Sequence, residues 1–203
     1  MDEPAREIVA FDFDGTLTIR DSLTAFLKWR AGARAYRRAL LSMGPQFAAY
    51  LSDRDRGRLK EALLVRLVAG EAREALVADA ERFAEQVFER FIRPDALEAW
   101  NDWANAGVER VIVTASPALT VAPFARRLGA ERLIGTRLQV DLNDCLTGRL
   151  RGENCRGAEK VARIRAAYGE DVRVLAAYGD TSGDREMLAI SEMPGYRVFR
   201  RRP

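Results

Sequence analysis

The 203-residue chain has no histidine, which removes Ser-His-Asp triads, phosphohistidine chemistry and His-ligated zinc from consideration. Cysteine is nearly absent. Cys145 and Cys155 are too few for a disulfide framework or a structural metal site, and both are expected to be reduced and packed. Lysine is also scarce: Lys28, Lys60 and Lys160 are the only three among 33 basic residues. A chain that prefers arginine this strongly keeps lysine where a compact ammonium is needed, so each of the three merits inspection. No apolar run approaches the roughly 20 residues that span a bilayer, and the N-terminus carries no signal-peptide pattern. The expected setting is cytoplasmic.

The net charge of +3 and pI of about 9.1 lean only slightly toward anionic partners. The arginines alternate with acids along helical stretches such as Glu71–Arg90, the pattern of a solvated mixed-charge face. No aromatic-rich basic module accompanies them, so nucleic acid is not an expected partner.

What the chain does contain is a set of apolar strands that end on polar groups. Ile8–Phe11 runs into Asp12-Phe13-Asp14-Gly15-Thr16, so two carboxylates stand at the mouth of a buried strand. Desolvating them is costly unless a cation or a reaction requires them there. An Asp-Gly turn with a helix-capping aspartate is the structural alternative for this pair taken alone. Val111–Thr114 ends on Thr114-Ala115-Ser116-Pro117, two hydroxyls at a helix start. Leu175–Tyr178 ends on Gly179-Asp180 with Asp184 four residues on. Lys160 falls in the first turn of a helix, where a cation opposes the helix dipole and gains no local stability.

The elements between these motifs set the architecture. Helical periodicity alone runs from Asp21 or Ser22 to about Phe91, broken at Met43-Gly44-Pro45 and Gly70. From Pro94 helices and strands alternate: helix 94–106, strand 108–114, helix 117–128, strand 132–138, a hairpin or loop over 139–156, helix 157–168, strand 172–178, helix 185–190 and strand 196–199. Alternation predicts an α/β fold with a Rossmann-like parallel sheet. Some 70 residues of helix are too many for a crossover, so an inserted all-helical cap is expected. The division is a catalytic core of residues 1–20 and 91–203 and a cap of residues 21–90.

All strand ends of a parallel sheet lie on one edge, which brings Asp12, Asp14, Thr114, Asp180 and Asp184 together with Lys160 beside them. Clustered carboxylates repel without a cation, and an all-oxygen ligand set selects Mg²⁺. Metal, ammonium, hydroxyl and helix N-terminus together describe a phosphoryl site.

These motifs, in this order, resemble the haloacid dehalogenase-like superfamily: Asp12-Phe-Asp-Gly-Thr16, then Thr114, then Lys160, then Gly179-Asp180…Asp184. The helical insertion is similar to the branch containing phosphoserine phosphatase and phosphatidylglycerophosphatase C, as is Asn154-Cys-Arg-Gly-Ala-Glu-Lys160. The resemblance implies a phosphatase in which Asp12 is the nucleophile and Asp14 the general acid and base. It implies Mg²⁺ held by Asp12, the Asp14 carbonyl and Asp180, with Thr114 and Lys160 on the phosphoryl group. Ser116 is expected either to line the site or to cap its helix. Asp184 either tethers Lys160, approaches the metal or caps a helix, and Gly15 supports the turn.

The chain departs from phosphoserine phosphatases at Gly183, at Thr114-Ala-Ser-Pro117 and in its expected use of Asp21 as a helix cap. These departures argue against phosphoserine; the resemblance implies a small or lipid phosphate monoester as substrate, with phosphatidylglycerophosphate and phosphoserine as specific alternatives. A catalytically idle phosphate-binding regulator is the alternative from a different class. A phospho-accepting receiver domain is excluded by the order of its motifs. Phe26, Trp29, Tyr36, Leu40 and Leu41 alternate with arginines along the first cap helix, which suits either core packing or a peripheral membrane contact. Arg56, Arg58 and Lys60 stand in the cap with no role legible, and the oligomeric state is not legible either.

Overall fold

A computed structural model describes residues 6–53 and 56–203, without the side chains of residues 49, 50, 53 and 56. Its five-stranded parallel sheet has the order β3-β2-β1-β6-β7, with β1 Glu7–Phe11, β2 Glu109–Pro117, β3 Arg132–Thr136, β6 Arg173–Gly179 and β7 Ser191–Tyr196. β1 is central and apolar on both faces, as a strand covered on both sides must be. Ile8 and Ala10 point to one face, with Val111, Val113 and Ile164; Val9 and Phe11 point to the other, with Ile112, Trp100 and Phe124. The Phe11 ring packs tilted against those of Trp100 and Tyr178, with centroids 5.0 Å and 4.6 Å away. The buried indole of Trp100 donates to the Leu128 carbonyl at 2.8 Å.

Helices α5 (Pro94–Asn105) and α6 (Ala118–Leu128) cover the Phe11 face, and of four consecutive helices with no intervening strand the first, third and fourth add residues to the same core. The four are α1 (Ser22–Leu41), α2 (Gly44–Asp53), α3 (Arg56–Val68) and α4 (Arg73–Phe91). α7 (Ala158–Tyr168) and the short α8 (Arg185–Ala189) cover the other face. α1 bends at Gly32, whose φ of +78° no other residue adopts cheaply. The two connections into and out of the helical block run side by side: Thr18 bridges Ile92, Ile19 donates to Phe91 and Arg93 donates to Leu17.

Two segments differ from the sequence expectation. The expected strand 132–138 divides into β3 and β4 (Leu138–Val140), and β4 pairs antiparallel with β5 (Leu146–Leu150). That hairpin docks on the helical block: Leu146 exchanges backbone bonds with Gly70 and Glu71, and the Leu150 N–H donates to Glu61 at 2.6 Å. The last strand lies at 191–196 rather than 196–199, because an edge strand tolerates Pro194.

The aromatic residues of α1 turn inward. Phe26 and Tyr36 are buried, Trp29 packs on Phe83, and Arg30 is paired with Asp79 and Glu71. Of the apolar residues weighed for a membrane contact, Leu41 alone is largely exposed, at 83%. No helix among the described residues is long and apolar enough to cross a membrane.

Candidate active site

The carboxyl ends of β1, β2 and β6 open into a cavity of about 430 Å³ lined by Asp12, Asp14, Ser116, Lys160, Asp180 and Asp184. At its floor is the ammonium of Lys160. It donates to Asp12 Oδ1 at 2.6 Å, Asp184 Oδ1 at 2.7 Å and the Val113 carbonyl at 2.6 Å. Three donors meet three acceptors, so the group is fully paired at 1% exposure. Burial by itself would lower the Lys160 pKa; the two carboxylates reverse this and leave it raised. This explains a cation in the first turn of α7, since its partners lie on other elements.

Asp12 follows β1 directly, and its N–H donates to Tyr178 on β6 at 2.8 Å. Burial pushes its pKa up to about 7 against the pull of Lys160, with Asp184 and Asp14 adding to the rise. Beyond it the chain turns sharply over Phe13–Leu17. Gly15 sits at φ +84°, and a Cβ there would collide with the Asp180 carboxylate. Glycine is therefore required twice, for its backbone conformation and for the close approach.

Asp14 is aimed by two donors, the Ser22 N–H on Oδ1 at 2.6 Å and the Ser116 hydroxyl on Oδ2 at 2.5 Å. Burial raises its pKa, with the nearby Asp21 charge acting in the same direction. Asp21 lines the cavity and also caps α1, accepting from Thr24 N at 2.6 Å.

Asp184 has both oxygens engaged. Oδ1 takes Lys160, and Oδ2 takes the Thr181 N–H at 2.8 Å, the Thr181 hydroxyl at 2.9 Å and the Asp180 N–H at 3.2 Å. It closes a capping box with Thr181 and holds Lys160 at once. Burial opposes its ionisation, but Lys160 and the Thr181 donors leave its pKa lowered. Asp180 stands in contrast. Burial and the Asp184 charge raise its pKa, and its Oδ1 is one of three buried side-chain oxygens among the described residues with no hydrogen-bond partner. Asp12, Asp180 and Asp184 bring carboxylate oxygens within 4.8 Å of one another. An all-oxygen set with one buried, unpartnered carboxylate oxygen fits a hard divalent cation.

Thr114 is fully buried behind the wall that Ala115 and Ser116 present, and its hydroxyl accepts the Ser116 N–H at 3.0 Å. The structure therefore brings Ser116 rather than Thr114 to the cavity surface. Other lining residues carried no sequence prediction of contact: Arg20, Arg93, Arg156 and Thr181. The Arg156 guanidinium occupies space that only glycine at 183 leaves open, and it donates to Ser182 at 2.9 Å.

Lys60 enters from α3, donating to the Ala115 carbonyl and to Asn154 Oδ1 at 2.7 Å. Burial pulls its pKa down to about 8. Its rarity was the only signal in the sequence. Arg58 has interactions of its own, and the Arg56 side chain lies outside the described residues.

Comparison with known proteins bears on the family and the fold. The chain is 53% identical over 196 residues to the protein CicA of Caulobacter vibrioides, covering 97% of this chain and 88% of that one. A Bordetella pertussis protein of unknown function superposes with a TM-score of 0.77 at 25% identity, over 94% of this chain and 89% of that one. A phosphoserine phosphatase carrying a phospho-aspartyl intermediate analogue has the same fold, with a TM-score of 0.58 at 20% identity over 94% and 85% of the two chains. The family model of haloacid dehalogenase-like hydrolases matches residues 9–189. With that match spanning nearly the whole chain, the protein belongs to the haloacid dehalogenase-like hydrolase family.

Proposed function

We propose that the protein is a Mg²⁺-dependent phosphomonoesterase acting through an aspartyl-phosphate on Asp12. The observation that carries this reading is the buried ammonium of Lys160 between Asp12 and Asp184, beside the unpartnered oxygen of Asp180. The residues that would hold Mg²⁺ are Asp12, Asp180 and the Asp14 carbonyl, because both oxygens of Asp184 already have donors. Mg²⁺ there would offset the negative charge gathered around the phosphoryl group.

An Asp12 carboxylate oxygen attacks phosphorus in line, and the ester oxygen leaves with its electron pair. Lys160 keeps Asp12 ionised and oriented for that attack. Asp14 supplies the proton to the leaving oxygen, for which its raised pKa suits it. Deprotonated, it then takes a proton from the water that attacks the aspartyl-phosphate, which returns Asp12 and frees phosphate. Ser116 holds Asp14 on that line, with Thr114 bracing the wall from behind.

In the same reading residues 1–20 and 91–203 are the catalytic core, and residues 21–90 are a cap over the sheet edge. The substrate is a small or lipid phosphate monoester. Phosphoserine is the less favoured specific reading, since Asp21 is engaged at Thr24 and Arg156 fills the space beside Gly183.

The test is Mg²⁺-dependent phosphate release from a panel of phosphatidylglycerophosphate, phosphoserine, sugar phosphates and nucleotides, with Asp12→Asn as control. Release from one class, abolished in Asp12→Asn, supports the reading. If no substrate is turned over while phosphate still binds, the protein is instead a phosphate-binding regulator.

A further inference from the structure

A second cavity, of about 380 Å³, lies between α1, α2 and α3 and shares Asp21, Leu23 and Lys60 with the candidate active site. Beyond that junction and the adjacent Thr24 its wall is apolar, built from three residue pairs at a spacing of four: Tyr36 and Leu40, Met43 and Phe47, Leu59 and Leu63. That spacing turns one face of α1 and one face of α3 into the groove, while Met43, in the turn before α2, meets Phe47 on the first turn of α2. The stripe continues outward, for Leu51 follows Phe47 by four on α2, and the two are 75% and 39% exposed. Apolar surface left in water on a groove that opens from a polar cavity is a binding feature more often than a packing accident.

We propose that this groove binds an aliphatic chain carried by the leaving group, so that the substrate is an amphiphilic phosphomonoester. The occupant follows from continuity. Whatever fills the groove begins at Asp21 and Lys60, beside the residues proposed to take the phosphoryl group. The inference rests on the phosphatase reading for the direction of the chain, with phosphate at Asp12 and tail toward Phe47. Lys60 stands at the junction with its ammonium directed back to Ala115 and Asn154, leaving its α3 neighbours Leu59 and Leu63 to the tail. Binding energy from such a remote group can be used at the reacting centre.

The test measures binding apart from turnover. Calorimetry in Mg²⁺ buffer with n-alkylphosphonates from butyl to decyl gives Kd against chain length. The expected result is a two- to fourfold tightening per methylene, the upper figure corresponding to about 0.8 kcal/mol per buried CH₂. Leu63→Gln reduces the octyl-to-butyl affinity ratio at least fivefold. A Kd that does not change with chain length overturns the proposal, as does a Leu63→Gln series as steep as the parent's. A flat series with a dimer in sedimentation velocity assigns the groove to a second copy of the chain and likewise overturns it. Hydrolysis of n-alkyl phosphates is followed separately. Turnover with flat binding removes the groove and leaves the phosphatase reading, whereas steep binding without turnover removes the phosphatase reading and leaves the groove as a site for alkyl phosphates.

Discussion

Replacing Lys160 with methionine removes the one cation between Asp12 and Asp184 while roughly preserving side-chain volume. The two carboxylates, 6% and 2% exposed, then face each other with oxygens within 4.8 Å. At an effective dielectric near 20 two such charges repel by about 3 kcal/mol. Breaking one side of a buried ion pair typically costs about 3–5 kcal/mol, which agrees. For a chain of this size that corresponds to a fall in Tm of about 6–20 °C. The penalty must also depend on pH. Asp12 has its pKa raised to about 7 with lysine present; losing the lysine raises it further, so at pH 8 proton uptake relieves part of the repulsion and the penalty falls toward the lower end of that range. At pH 5 it is protonated, the repulsion disappears, and what remains is the loss of hydrogen bonds, about 1–2 kcal/mol. Urea unfolding of parent and variant in EDTA at pH 8 and pH 5 measures both values. Equal penalties at the two pH values would refute the assignment of Lys160 as the charge that holds these carboxylates ionised.

Further outcomes follow from the same contacts. In EDTA the parent protein loses stability as pH rises from 4 to 7. Asp12 binds its proton more tightly folded than unfolded, so folding is favoured below that window and the advantage fades as pH passes through about 7. Thermal melts across that range read the slope, and added Mg²⁺ flattens it; a rising stability would contradict the raised pKa. Asp14→Asn reduces kcat by about 10²–10⁴ and changes KM little, checked with a substrate of ordinary leaving-group pKa. A leaving group that needs no proton, such as a nitrophenolate, shows a smaller loss in the first step. Gly15→Ala strains a φ of +84° and pushes against Asp180, so it weakens Mg²⁺ binding at least tenfold by calorimetry. Gly183→Ala displaces the Arg156 guanidinium and should match Arg156→Ala in its kinetic profile; two different profiles would separate the residues.

Much of the framework is legible in the sequence. Apolar runs at β1, β2 and β6 ending on Asp12, Thr114 and Asp180 place polar groups on one sheet edge, because parallel strands share a direction. The helical block was legible because 70 residues without strand periodicity cannot be a crossover. Lys160 stood out because its position in α7 has no local explanation. These inferences need only order along the chain and the period of each element.

Tertiary structure decided what depends on where elements meet. Thr114 is the hydroxyl the motif order favours and Ser116 the one left between lining the site and capping a helix, yet the course of β2 hides Thr114 behind the wall and brings Ser116 to Asp14. Lys60 has no role legible in the sequence, and α3 carries it to Ala115 and Asn154; the hairpin β4–β5 shows its purpose only when docked on α3. The aromatic stripe of α1 suits core packing or a membrane contact by its periodicity, and packing against Phe83 buries Phe26 and draws Trp29 inward. Periodicity specifies that a helix has an apolar face. What that face meets is set by long-range packing among helices far apart in the chain, and the sequence by itself does not contain that distance information.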